Sequence, residues 1–85
     1  MFIVLKSIYT PKISLLCDRL RELREKSSLT QRDLAKKLEV PQTTIARMEL
    51  GERRVDVAEF HTILEVLGVN PEREFRAMAK SFSNL

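Results

Sequence analysis

Residues 29–51 read LTQRDLAKKLEVPQTTIARMELG. Two short amphipathic runs lie here, one on each side of a proline. Thr30 offers a capping hydroxyl, and Gln31, Arg32 and Asp33 open the first run. Leu34, Ala35 and Leu38 then recur at helical spacing and form an inner face. Pro41 drives the residue before it out of the helical region, so Glu39, Val40 and Pro41 form a break. The second run is expected from about Gln42 to Glu49, with Ile45 and Met48 turned inward, and stops before Gly51. Its first turn holds Gln42, Thr43 and Thr44 and no acid. Acids are favoured at a helix N-terminus, so this end serves something other than the helix's own stability.

The flanking sequence is helical too. Thr10-Pro11 is a start signal, a capping hydroxyl followed by a proline whose missing N–H costs nothing there. From Ile13, the residues Leu16, Leu20 and Leu23 keep one face. Arg21/Glu25 and Glu22/Lys26 are four-apart pairs on the solvated side, and Ser27-Ser28 end the helix. Downstream, Asp56 with Glu59 makes a capping-box-like pair. Phe60, Ile63, Leu64 and Leu67 give an apolar face that runs to Gly68, a good C-terminal stop. Asn70-Pro71 opens a fifth helix with Phe75, Met78, Ala79 and Phe82 on one side, as core or as an oligomer interface. The reading is all-α, five helices with short connections and no internal repeat. The first nine residues, MFIVLKSIY, stand apart. Ile3, Val4, Ile8 and Tyr9 favour a strand, and a lone strand needs a partner from another chain. The chain thus divides into an extended N-terminal arm or dimerisation strand, residues 1–10, and a helical domain, residues 11–85.

Composition narrows the function. A chain of 85 residues allows one small domain, and a domain of that size buries only about 60% of its unfolded surface. The single cysteine, Cys17, gives no disulfide framework and fits a reducing compartment; it is expected to be a buried small residue. The apolar run after Met1 ends at Lys6. That is too short for a signal peptide or a membrane span, so a soluble, cytoplasmic protein without a membrane role is expected. Lys and Arg outnumber Asp and Glu by 15 to 12, a weak bias towards anionic partners. No paired carboxylates, Cys/His pair or phosphate loop is visible, so an enzyme is the least favoured class. His61, beside the inner face of the fourth helix, lacks a second ligand or a nucleophile, which points to packing. No metal and no cofactor are implied.

The stretch 29–51 also resembles the helix-turn-helix of the lambda-repressor-like (Cro/XRE) family. Leu29-Thr30-Gln31, Leu34-Ala35, Val40, Ile45, Arg47, Glu49 and Gly51 fall where that family places similar residues. The likeness continues through ERRVDVAEFHTILEVLGVNP and covers roughly residues 13–75. It implies that small Ala35 lets the third helix cross close over the second, with Leu34, Val40 and Ile45 locking the angle. It also implies an ion pair between Arg24 and Glu49. Three positions depart from the family. Glu39 stands where glycine is usual, so a strained or altered turn is expected. Pro41 stands where Ser or Thr usually caps the recognition helix. Leu50 stands where Asn is common.

The resemblance implies sequence-specific binding to double-stranded DNA by a small dimeric transcriptional regulator, most simply a repressor. In a helix-turn-helix the start of the second helix enters the major groove, where Gln reads adenine, Thr meets a hydrogen-bonding edge or thymine methyl, and Arg grips guanine. Gln42, Thr43 and Arg47 match the family's base-reading positions. Gln31, Thr44, Arg53 and Arg54 are the candidate phosphate contacts, with Thr44 alternatively packing. Arg32, Lys36 and Lys37 read mainly as solvated charges. Two rival readings use the same domain. One is an antitoxin-type regulator that binds both DNA and a toxin partner; the other is a protein-interaction module without DNA binding.

Overall fold

The computed structural model describes residues 10–85. The expected N-terminal strand, residues 1–9, lies outside the described residues. Five helices follow in order: α1 Pro11–Lys26, α2 Gln31–Leu38, α3 Gln42–Leu50, α4 Val57–Val66 and α5 Pro71–Ser83. Four of them start on a side-chain cap. The Thr10 hydroxyl accepts from the Ile13 N–H at 3.2 Å. Thr30 accepts from Asp33 at 3.0 Å while the Asp33 carboxylate takes the Thr30 N–H at 2.9 Å, a complete capping box. Asp56 and Glu59 repeat that box on α4, at 2.7 and 3.0 Å. Asn70 caps α5 through the Arg73 N–H at 3.1 Å. Only α3 of the five begins without one, because Pro41 brings no side-chain acceptor.

Four helices end alike. A residue in the left-handed region reverses the chain, and the next N–H reaches back to a carbonyl five residues earlier. The N–H of Leu29 bonds to the Arg24 carbonyl at 3.3 Å, Val40 to Ala35 at 3.0 Å, Glu52 to Arg47 at 2.9 Å and Val69 to Leu64 at 2.9 Å. Gly51 and Gly68 hold two of the reversals, at φ 79° and 75°, but Ser28 and Glu39 hold the other two, at 59° and 58°. The expected strain at Glu39 is therefore real, and Ser28 adds a second site that the sequence reading missed. A side chain in this region costs roughly 1–2 kcal/mol. Burying one Leu or Ile is worth about 1.5–3 kcal/mol, and Leu20, Leu34, Ile45, Ile63 and Leu64 are all fully buried. The core decides, and the turns follow.

That core gathers Leu20 and Leu23 of α1, Leu34 and Ala35 of α2, Ile45 and Met48 of α3, Phe60, Ile63 and Leu64 of α4, and Met78 of α5. Ala35, small and 3% exposed, is buried in that core. Cys17 is buried as expected, and burial raises its thiol pKa. Phe75 and Phe82 pack against the core's edge while remaining partly exposed, and Phe75 stacks at 5.7 Å on Phe60. The alternatives for α5 thus separate: Met78 is core, and the two phenylalanines form its rim. His61 corrects an expectation. It lies on the solvated side of α4, with Nδ1 3.3 Å from a carboxylate oxygen of Glu65, and its packing is confined to the edge of the core, where its ring centroid lies 6.1 Å from that of Phe75. Arg21 is a second correction. Glu22 and Lys26 pair as expected at 3.0 Å, but Arg21 turns away from Glu25 and donates to the Glu49 carbonyl at 3.4 Å.

Candidate nucleic-acid interface

The start of α3 lies at the surface, entered from α2 through a tight reversal. Glu39 turns the chain, Val40 ties back to Ala35, and extended Pro41 delivers the chain into the new helix. The apolar side of α3 is spent on the core through Ile45 and Met48, both buried. Helical spacing then sets Gln42, Thr43 and Arg47 outward, and all three are exposed. The Arg47 side chain is 61% exposed and sits 4.0 Å from a Glu52 oxygen, a loose contact.

The far end of α3 is anchored by Glu49, which is 3% exposed. Its carboxylate accepts a fork from Arg24, Nε at 2.7 Å and Nη2 at 3.1 Å. Arg24 also donates to the Leu29 carbonyl at 2.7 Å. The Gln31 side-chain amide donates to the same carboxylate at 3.0 Å. One buried acid on α3 is therefore held from α1 and from α2. The implied Arg24–Glu49 pair is present, and Gln31 joins it, which the sequence reading did not foresee.

The remaining candidates fall at two edges of α3. Gln31 and Gln42 border one shallow depression of about 650 Å³ between the starts of α2 and α3. Thr44 is half-buried and shares a cleft of about 310 Å³ with Leu38, Val40 and Arg53. Arg53 forks onto Glu59, at 2.7 and 3.2 Å, and donates to the Arg54 carbonyl at 3.0 Å. Those are three hydrogen bonds from a group that carries five donors. The Arg53 fork, then the Asp56 N–H, hold the Glu59 carboxyl below its ordinary pKa. Arg54 is exposed beside it. Among the described residues no group of His, Cys, Asp and Glu is arranged to hold a metal ion.

Residues 15–78 match the helix-turn-helix domain family. The chain belongs to that family, and to its Cro/XRE type. A solved structure of an XRE-family like protein from Pseudomonas syringae pv. tomato str. DC3000 superimposes with a TM-score of 0.80 at 32% identity, covering 89% of this chain and 93% of that one. No curated protein matches the chain. As a Cro/XRE-type helix-turn-helix protein it is a DNA-binding regulator in kind, a class that is typically non-enzymatic. No described helix is long and apolar enough to cross a membrane.

A further ion pair in this helix-turn-helix domain escaped the sequence reading. Glu74 of α5 is 4% exposed and accepts a fork from Arg19 of α1, at 2.7 and 2.9 Å. A signal was there to find. Glu74 is the acid inside the stripe Phe75, Met78 and Phe82, one residue before Phe75 and four before Met78, so it shares the buried face.

Proposed function

We propose that the chain reads a specific site in duplex DNA by seating the start of α3 in the major groove, as a homodimer on a two-fold site. The supporting observation is the asymmetry of α3. Its far end is bound into the body by Glu49, while its start is exposed, lacks a side-chain cap, and presents Gln42 and Thr43, with Arg47 one turn on. Uncapped N–H groups and a positive helix end suit a polyanion. Gln42, Thr43 and Arg47 take the base-reading roles. The backbone at Gln31 and the side chains of Thr44, Arg53 and Arg54 take the phosphate roles. The side-chain amide of Gln31 stays on Glu49, and the Glu59 carboxylate steers the Arg53 fork. Occupying the site excludes other proteins, so repression is the proposed sense of regulation. A single recognition helix spans few base pairs, and a second copy supplies the missing affinity and specificity.

Binding selected from a random duplex pool and then titrated with salt tests this reading. With about 6–10 phosphates neutralised by a dimer, log affinity falls against log salt with a slope of roughly −5 to −9. A flat salt response, or no enrichment of any sequence, would overturn it.

A further inference from the structure

Among the described residues, Arg19, Arg24 and Arg53 each fork onto a carboxylate, and the forks are not built alike. Arg24 grips Glu49, and Arg19 grips Glu74, with Nε and Nη2, the side edge of the guanidinium. Arg53 grips Glu59 with Nη1 and Nη2, the tip. Its Nη1 also serves the Arg54 carbonyl, at 3.0 Å. A guanidinium has five N–H donors in one plane. Among the described residues no acceptor meets Arg53 Nε, and Nη2 keeps a second N–H on that same edge. The edge that holds an oxyanion in the other two forks is thus open in this one, on a side chain that is 38% exposed.

Both partners of the Arg53 fork are fixed from elsewhere. The N–H groups of Glu52 and Arg53 bond to the Arg47 carbonyl, at 2.9 and 3.2 Å, which ties the loop to α3. Glu59 is pinned in the first turn of α4 by its capping box with Asp56, and its Oε1 accepts from both the Asp56 N–H and Arg53. The guanidinium is therefore held between the helix proposed to enter the groove and the start of the next one. A long side chain that is already ordered loses less freedom when it binds.

We infer that Glu59 is a positioning residue for DNA binding: by holding the tip of Arg53 it aims Nε and Nη2 together at one phosphate of the DNA backbone. This rests on the function proposed above and deepens it. The two free oxygens of a phosphate match a pair of parallel N–H donors as a carboxylate does. By charge alone an acid at this place repels the polyanion, so Glu59 should hinder binding. The aim of the donors works in the opposite direction, and the two effects therefore differ in sign.

The test titrates four full-length chains, the parent, Glu59→Gln, Arg53→Ala and the double variant, with a duplex of the selected site at one salt concentration, and records the helical spectrum of each. Glu59→Gln keeps an acceptor for the Asp56 N–H but replaces one acceptor of the fork by a donor. In the parent it is expected to weaken binding about tenfold although it removes a negative charge. In the Arg53→Ala background the same change should cost nothing or strengthen binding. An equal effect in both backgrounds overturns the inference, because Glu59 then only supports α4. Stronger binding by Glu59→Gln in the parent also overturns it, because Glu59 is then a hindrance. Either result leaves the proposed function standing, whereas a parent chain that binds no duplex removes both. Arg53→Lys supplies a second measurement that leaves the α4 cap untouched. It keeps the charge but lacks the paired edge, so a similar loss is expected, and unchanged affinity overturns the inference.

Discussion

Arg47 and Arg54 test the proposed reading most sharply at the residue scale. The Arg47–Glu52 contact, at 4.0 Å between side chains 61% and 53% exposed, is worth at most about 1 kcal/mol and leaves the guanidinium available. On the preferred site, Arg47→Ala is expected to cost about 1–3 kcal/mol and to relax the preference at one base pair. Arg54→Ala should weaken binding to all sequences alike and shallow the salt slope by about one unit. Titrating both variants against the preferred site and a single-base variant, at two salt concentrations, checks this. Equal loss on both sites for Arg47→Ala would move that residue to the backbone. The outward setting of Gln42, Thr43 and Arg47 was legible in the sequence because Ile45 and Met48 fix the inward side of the helix. The Gln31 amide and the Arg53 fork were not. Each has turned onto an acid distant in sequence, Glu49 or Glu59, and that choice depends on how α2 meets α3 and how the loop after α3 folds.

At the scale of elements, starts were easier to foresee than ends. A helix start is a local side-chain event, so Thr10, Thr30, Asp56 and Asn70 could be recognised from type and spacing alone. An end in the left-handed region is recognisable when glycine holds it, as at Gly51 and Gly68. At Ser28 and Glu39 the packed neighbours impose the conformation on residues that resist it, and only the family likeness hinted at Glu39. Glu39→Gly is therefore expected to stabilise the domain by about 0.5–1 kcal/mol, the relief of strain exceeding the entropy that glycine adds to the unfolded chain. Chemical denaturation of the variant beside the parent measures it, and a destabilised variant would mean that the Glu39 side chain makes a contribution larger than the strain. Ser28→Gly should behave likewise.

Acid should loosen the whole molecule from its helix starts. The Arg53 fork holds Glu59 below its ordinary 4.5. The Thr30 N–H, then the Thr30 hydroxyl, hold Asp33 below its ordinary 3.8. Both carboxyls bind protons less readily folded than unfolded. Their stabilisation is present above the ordinary values and is lost as pH falls through the depressed ones. The melting temperature should be nearly level from neutrality to about pH 5 and fall below about pH 4.5. Glu59→Gln keeps an acceptor for the Asp56 N–H and should make that fall shallower; an identical acid limb would show that other groups govern it. The Arg24–Glu49 pair is a different matter, because Arg24→Ala leaves a buried carboxylate without its main partner. That loss is expected to cost about 3–5 kcal/mol, a large share of the roughly 5–15 kcal/mol a domain possesses, so a marked fall in the thermal unfolding midpoint of the variant beside the parent is the expected result. The same anchored acid has a consequence for inheritance. With the rear of α3 bolted to two other helices, the orientation of its front is common property of the scaffold, and the letters displayed there can be exchanged like type in a locked frame. On the proposed reading, descendants of such a chain acquire new operators by changing positions 42, 43 and 47 without renegotiating the rest of the protein.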